Sequence, residues 1–89
     1  MTERRLQIIN EKGLHARASA KFVEVVENHD ASATVTKDGM SVSGDSIMGL
    51  LMLAASRGTS IEVRTSGAEA EKLAAALEAL VADRFGESF

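Results

Sequence analysis

A chain of 89 residues, 45% hydrophobic and 26% charged, has material for one domain with a modest core and none of the bias of a disordered chain. A domain of this size buries only roughly 60–65% of its unfolded surface, which argues against a deep pocket between two lobes. Zero cysteines exclude a disulfide framework, a thiolate zinc site and a thiol nucleophile, while a net charge of −3 with three aromatics offers neither the basic footprint nor the stacking platform of a nucleic-acid binder.

No apolar run approaches the ~18 residues of a membrane span. The first residues run straight into an alternating segment, without the apolar stretch of a signal peptide, so a cytoplasmic protein with no membrane contact is the expectation. Residues 1–89 are expected to form a single domain.

Residues 5–9 predict a strand, with Leu6 and Ile8 on one face and Arg5 and Gln7 on the other. After Glu11-Lys12-Gly13, residues 16–28 predict a helix. Ala18, Phe22, Val25 and Val26 recur at helical spacing, and Glu24 and Glu27 lie toward solvent. Residues 32–37 alternate again, with Ala33 and Val35 inward. Asp38-Gly39 is a hairpin signal, and Met40, Val42 and Gly44 carry the alternation into a third strand. Within residues 47–55, Ile47, Leu50, Leu51 and Ala54 make one stripe of a short helix. Residues 61–64 predict a fourth strand with Ile61 and Val63 inward. Ser66-Gly67-Ala68-Glu69 reads as a capping box that opens a long helix carrying Leu73, Leu77, Leu80 and Val81 and ending near Asp83. The order β-α-β-β-α-β-α predicts an α+β open-faced sandwich, a four-stranded antiparallel sheet with its helices on one face.

One constellation could carry chemistry. In Gly13-Leu14-His15-Ala16-Arg17-Ala18-Ser19, a histidine falls at a strand-to-helix junction where Ser, Thr, Asp or Asn would usually cap the helix. Leu14 and His15 are weak caps, so the first-turn amides are expected to stay open, and an open helix start attracts anions. Arg17 in the first turn opposes the helix dipole by ~0.3–1 kcal/mol, a penalty that an arriving anion would reverse. Histidine, with an ordinary pKa of ~6.5, offers a neutral nucleophilic nitrogen near neutral pH, and a guanidinium can clamp a phosphate. The set fits a histidine that accepts a phosphoryl group. On spacing alone, a surface histidine and a solvated arginine account for the same residues more simply.

Gly44-Asp45-Ser46-Ile47-Met48-Gly49 is the second feature. Asp45 or Ser46 reads first as a helix cap, a position where added phosphate would also be tolerated. A helix cannot turn Ile47, Met48, Leu50, Leu51 and Met52 all inward, so Met48 is expected to be partly exposed, either as a greasy face or as a partner surface. His29 falls near a helix C-terminus, and no ligand spacing suggests a metal or other cofactor.

Gly-Leu-His-Ala-Arg at 13–17 with Gly-Asp-Ser-Ile-Met-Gly at 44–49 resembles the HPr family, the histidine-containing phosphocarriers of the bacterial phosphoenolpyruvate-dependent phosphotransferase system. The resemblance extends over nearly the whole chain. It implies a sheet covered by three helices, and it implies that His15 takes phosphate from enzyme I on Nδ1, beside Arg17, with the Ala16 and Arg17 amides helping to hold it. It implies onward transfer to an enzyme IIA protein, and phosphorylation of Ser46 by HPr kinase/phosphorylase. Ala16, Ala20, Ile47, Met48 and Leu51 match the family's apolar docking surface. The protein would be a monomeric carrier without a cofactor, a substrate of enzymes and not an enzyme. Two departures stand out. Ala18 occupies a position where the family commonly has proline. Glu24, Glu27, Asp45 and Gly49 replace the lysines that many sugar-transport members carry on the docking side. The run from Gly13 to Val23 looks like the regulatory, nitrogen-related branch. The rivals are a sugar-uptake carrier, a purely regulatory module of the same fold switched at Ser46, and a small-molecule-binding domain that shares only the order of elements.

Overall fold

Apolar residues at every second position build four strands: β1 (Thr2–Gln7), β2 (Ser32–Lys37), β3 (Met40–Ser43) and β4 (Ser60–Ser66). In the computed structural model, which describes residues 1–88, they form one antiparallel sheet in the order β1-β4-β2-β3. Three helices, α1 (Ala16–Glu27), α2 (Ile47–Met52) and α3 (Ala70–Ala82), complete the expected order, and a turn at Arg84–Gly86 follows them. The helix α3 packs on β1, β4 and α1, and α1 packs on α2.

The register explains why only one face is covered. Leu6 lies opposite Ile61, and Val35 opposite Val63. These four side chains point inward and meet Phe22, Val26, Leu73, Leu77 and Val81 from the helices. Strand periodicity sends their neighbours the other way. On that face Glu3 sits opposite Arg64 and pairs with it at 3.4 Å, and Thr36 sits opposite Ser41 with hydroxyls 2.8 Å apart. Such exposed pairs contribute no more than ~1 kcal/mol each, and the face has nothing apolar to bury. At the Asp38-Gly39 turn both residues have positive φ, 50° and 82°, as a two-residue type I′ hairpin requires.

Several boundaries differ from the sequence reading. The ladder begins at Thr2 rather than residue 5, and β4 runs on to Ser66. That extension overturns the expected capping box. Ser66 lies opposite Ser32, with hydroxyl oxygens 3.1 Å apart, so it cannot cap α3. Glu69 is itself the residue before the helix, makes no side-chain cap, and accepts a hydrogen bond from the Asp30 amide at 2.8 Å. That amide is the main reason the Glu69 carboxyl titrates below its ordinary range. Ala54 does not continue the α2 stripe: the helix stops at Met52, and Ala54 is exposed with φ 51°. Met40, which carries the alternation into the edge strand β3, is exposed.

One tight approach sets the path into α1. Gly13 has φ 67°, and a Cβ placed on it would lie 2.6 Å from the Ala55 carbonyl oxygen. The next residue, Leu14, donates its amide to that same oxygen at 2.9 Å. Only glycine combines this φ with this contact. Gly58, with φ 90°, has open space where a Cβ would go. Gly13→Ala is therefore expected to lower stability by about 2–4 kcal/mol, from a strained φ plus a steric clash, while Gly58→Ala lowers it by only about 1 kcal/mol. Urea denaturation of the two variants checks the difference. Equal losses would show that the contact at Gly13 relaxes without penalty.

Candidate functional site

His15 is the residue before α1, extended at φ −80° and ψ −176°, and its carbonyl accepts the first helical bond from Ser19 at 2.8 Å. Its side chain acts as the cap. Imidazole Nδ1 accepts from the Arg17 amide at 3.2 Å. The expectation of open first-turn amides is corrected here, because the ring stands where a serine or aspartate oxygen would stand.

The other ring nitrogen, Nε2, contacts the Glu87 carboxylate through Oε2. The second carboxylate oxygen accepts from Asn10 Nδ2 at 3.0 Å, and the same Nδ2 donates to the Gly13 carbonyl at 2.8 Å. Asn10 is fully buried, and its Oδ1 has no hydrogen-bond partner among the described residues. The Asn10 amide first, and the His15 ring after it, hold the Glu87 carboxyl below its ordinary range against the opposing effect of burial.

Glu87 arrives through the terminal turn. Arg84 and Phe85 both have φ 54°, left-handed values unusual for residues with side chains. The Phe85 ring is fully buried in the core, and its carbonyl accepts from Lys21 Nζ at 2.6 Å. Sequence reasoning missed Asn10 and Glu87. No local signal points to either; Leu77, Val81 and Phe85 at four-residue spacing mark an apolar anchor in the tail and nothing about Glu87.

Glu11, Lys12, His15, Ala16, Arg17 and Glu87 line a cleft of about 380 Å³. Two cations and two carboxylates thus face the histidine. Among the described residues the Arg17 guanidinium has no ion-pair partner, so it can meet an anion. Ala16 and Ala20 are exposed on α1. On the neighbouring α2, Ile47 and Met48 are 41% and 70% exposed, Leu51 is half-buried, and Met52, missed at the sequence level, is 65% exposed. Ser46 caps α2, its Oγ accepting from the Gly49 amide at 3.0 Å. His29 is engaged elsewhere, with Nδ1 2.7 Å from the Val25 carbonyl near the end of α1. No group of three or more metal-ligating side chains occurs among the described residues.

Comparison with known proteins points one way. A protein-family model described as PTS HPr component phosphorylation site matches residues 2–83. The chain is 46% identical over 87 residues to the phosphocarrier protein HPr of Neisseria meningitidis, covering 98% of each. It is 36% identical over 86 residues to the phosphocarrier protein NPr of Shewanella violacea, covering 97% of this chain and 94% of that one. The crystal structure of HPr-C-His from Thermoanaerobacter tengcongensis matches with a TM-score of 0.95 at 35% identity, covering 100% of both chains.

The link from Asn10 to Glu87 makes a measurable prediction. A carboxyl whose folded pKa is depressed stabilises the fold above its unfolded pKa, and that contribution is lost as pH falls through the folded value. In Asn10→Ala, the Glu87 titration midpoint should move up toward the ordinary range, narrowing that window. Stability at neutral pH should fall by about 0.5–1.5 kcal/mol, because the Gly13 carbonyl also loses one of its two donors, keeping the His15 amide. Carboxyl-carbon NMR titration and urea denaturation read the two effects. An unmoved Glu87 midpoint would show that Asn10 does not hold the carboxylate.

Proposed function

The chain belongs to the HPr family of phosphotransferase-system phosphocarriers, and we propose that within it His15 is the phosphoryl acceptor, loaded by enzyme I and unloaded to a histidine of an enzyme IIA protein. A member of this family is a carrier rather than an enzyme, and proteins of the phosphotransferase system, such as enzyme I and enzyme IIA, are its partners.

The observation that carries the assignment is the bond from the Arg17 amide to Nδ1. A nitrogen that accepts from an N–H carries a lone pair, and this one sits at a helix start beside a guanidinium that has no ion-pair partner among the described residues. In transfer, phosphorus bonds to Nδ1 as its bond to the donor breaks. The Arg17 amide, released from Nδ1, turns to a phosphoryl oxygen, and the neighbouring Ala16 amide joins it. The guanidinium takes a second share of the charge. Ala18, in place of the family's common proline, is fully buried and keeps the first turn packed on the core.

Ala16, Ala20, Ile47, Met48 and Leu51 form the proposed docking surface, and Met52 extends it. Large apolar side chains left this open on α2 are the mark of a partner site. The regulatory, nitrogen-related branch is the proposed setting, supported by the run from Gly13 to Val23 and by Glu24, Glu27 and Asp45 where lysines would serve a sugar branch. Ser46, half-buried directly before Ile47, is the proposed regulatory site, phosphorylated by an HPr kinase/phosphorylase. The working unit is proposed to be one monomeric domain over residues 1–89, in the cytoplasm. Incubation with enzyme IIA proteins of both branches tests the setting: preferential phosphate transfer to the sugar-branch protein would overturn it.

His15→Ala should fold normally and take no phosphate from enzyme I and phosphoenolpyruvate, whereas His29→Ala should be loaded like the wild type. Mass spectrometry locates the phosphate, and label on the His15→Ala protein would sink the assignment. Arg17→Ala should slow single-turnover loading roughly 10²-fold, the usual penalty for removing one charge-stabilising donor. Unchanged kinetics would make Arg17 a plain surface charge.

Ser46→Asp should preserve the fold, because aspartate caps as well as serine, and should weaken loading by placing charge at the rim of the docking surface. Higher salt should recover part of the loss. Quenched transfer at two ionic strengths with a parallel melt checks it, and loading at the wild-type rate would leave Ser46 a helix cap only.

A further inference from the structure

His15 is held by two bonds of opposite sense. The Arg17 amide can donate to Nδ1 only if Nδ1 is unprotonated. A neutral ring then carries its proton on Nε2, and Nε2 faces a carboxylate that can only accept. Both contacts select the same tautomer. Building the carboxylate into this position has a penalty elsewhere. Asn10 is fully buried, its Oδ1 has no partner among the described residues, and such an unsatisfied group needs a reason. Its Nδ2 bridges the Gly13 carbonyl, two residues before His15, and Glu87 Oε1. Asn10 therefore fixes the carboxylate and the histidine's backbone relative to each other.

We propose that Glu87 is a positioning residue for His15: its carboxylate holds the proton on Nε2, leaves the Nδ1 lone pair facing the incoming phosphorus, and balances the positive charge the ring acquires on phosphorylation. This rests on His15 being the acceptor. In the step itself the Nδ1 lone pair forms the N–P bond, and the electron pair of the broken bond leaves with the phosphorylated enzyme I residue that donated the group. No proton needs to move, because Nε2 keeps its hydrogen. The ring, bonded at both nitrogens, becomes cationic, and the facing carboxylate is then worth more than it was to the neutral ring. The same pair works in reverse on unloading, when the Nδ1–P bond breaks and the ring returns to neutrality. The charged neighbours around the cleft are Glu11 and Lys12 from the loop before α1, Arg17 from α1 and Glu87 from the tail. Among the described carboxylates, Glu87 is the one in contact with the ring.

The test compares the wild type with Glu87→Ala, Glu87→Gln and Glu71→Gln, the last removing the same charge from the exposed first turn of α3. Nitrogen-15 shifts of the neutral ring report the tautomer, and single-turnover loading from phosphorylated enzyme I reports the rate. The wild type and Glu71→Gln should show the proton on Nε2 and equal rates. Glu87→Ala should show mixed tautomers and loading about tenfold slower, corresponding to about 1.4 kcal/mol. Glu87→Gln, whose amide oxygen can still accept from Nε2, should keep the tautomer yet load several-fold slower because the charge is gone. A Glu87→Ala protein with the wild-type tautomer and rate, or one that loads faster because the tail had merely covered the ring, would overturn the inference. Phosphate mapping separates the two levels. Label that persists in His15→Ala removes the acceptor assignment itself, whereas label confined to His15 with indifferent Glu87 variants removes only the role of Glu87.

Discussion

The placement of His15 descends from the contact between Gly13 and the loop after α2. A left-handed φ of 67° turns the chain back, and the absence of a side chain lets it lie against the Ala55 carbonyl. Leu14 then bonds to that carbonyl, and the next residue is the histidine. The end of β1 is already fastened to the start of β4 by the Ile8 amide on Thr59 and the Gly58 amide on Ile8. The segment entering α1 is thus held on both sides by backbone bonds. His15 has no freedom to sit elsewhere than at the cap, where its Nδ1 meets the Arg17 amide. The half-buried His15 ring is oriented on its Nδ1 side by backbone geometry rather than by a deep pocket.

The sheet supplies rigidity without enclosure. Its inner row, from Leu6 through Ile61, Val63 and Val35, anchors the helices, while its outer row of charges and hydroxyls needs no cover. Core burial falls mostly to α1 and α3. In α2 only Leu50 is buried, so Ile47, Met48 and Met52 stay exposed, as the proposed docking surface requires. A carrier that must be reached by two large proteins in turn needs this division. A lid over His15, the proposed acceptor, would protect a phosphoryl group and also shut out both partners.

What was legible in the sequence was whatever depends on near neighbours. Leu6 and Ile8, Ala33 and Val35, and Ile61 and Val63 announce their strands by period two. Asp38-Gly39 announces its turn, whereas the spacing of His15 and Arg17 marks a helix start and stands out only together with the motif at 44–49. The reading failed where a distant partner competes. Ser66 and Glu69 satisfy the local pattern of a capping box, but the sheet offers Ser66 a place opposite Ser32, and the Asp30 amide claims Glu69. The ladder satisfies more backbone groups than the box would, so the longer-range choice wins. Asn10 and Glu87 are 77 positions apart, and no local periodicity can pair them. Leu14 and His15 look like weak caps by residue type, yet His15 caps α1 because an imidazole nitrogen can do a carboxylate oxygen's work.

Backbone strain has a clear distribution in this fold. Apart from the Asp38 hairpin, the residues with side chains and positive φ are Ala54, beside the carbonyl that anchors Leu14, and the consecutive pair Arg84 and Phe85. Each such residue costs about 1–2 kcal/mol. Full burial of the Phe85 ring returns about 1.5–3 kcal/mol, enough to offset much of the strain in the terminal turn. The bond from Lys21 to the Phe85 carbonyl adds to it. A relaxed helical continuation of α3 would carry the tail along a different path. The left-handed turn instead sends Phe85 into the core and sets Glu87 against His15. Unfavourable dihedrals therefore sit on both flanks of the histidine, one fixing the backbone it stands on and the other delivering the carboxylate that faces its ring.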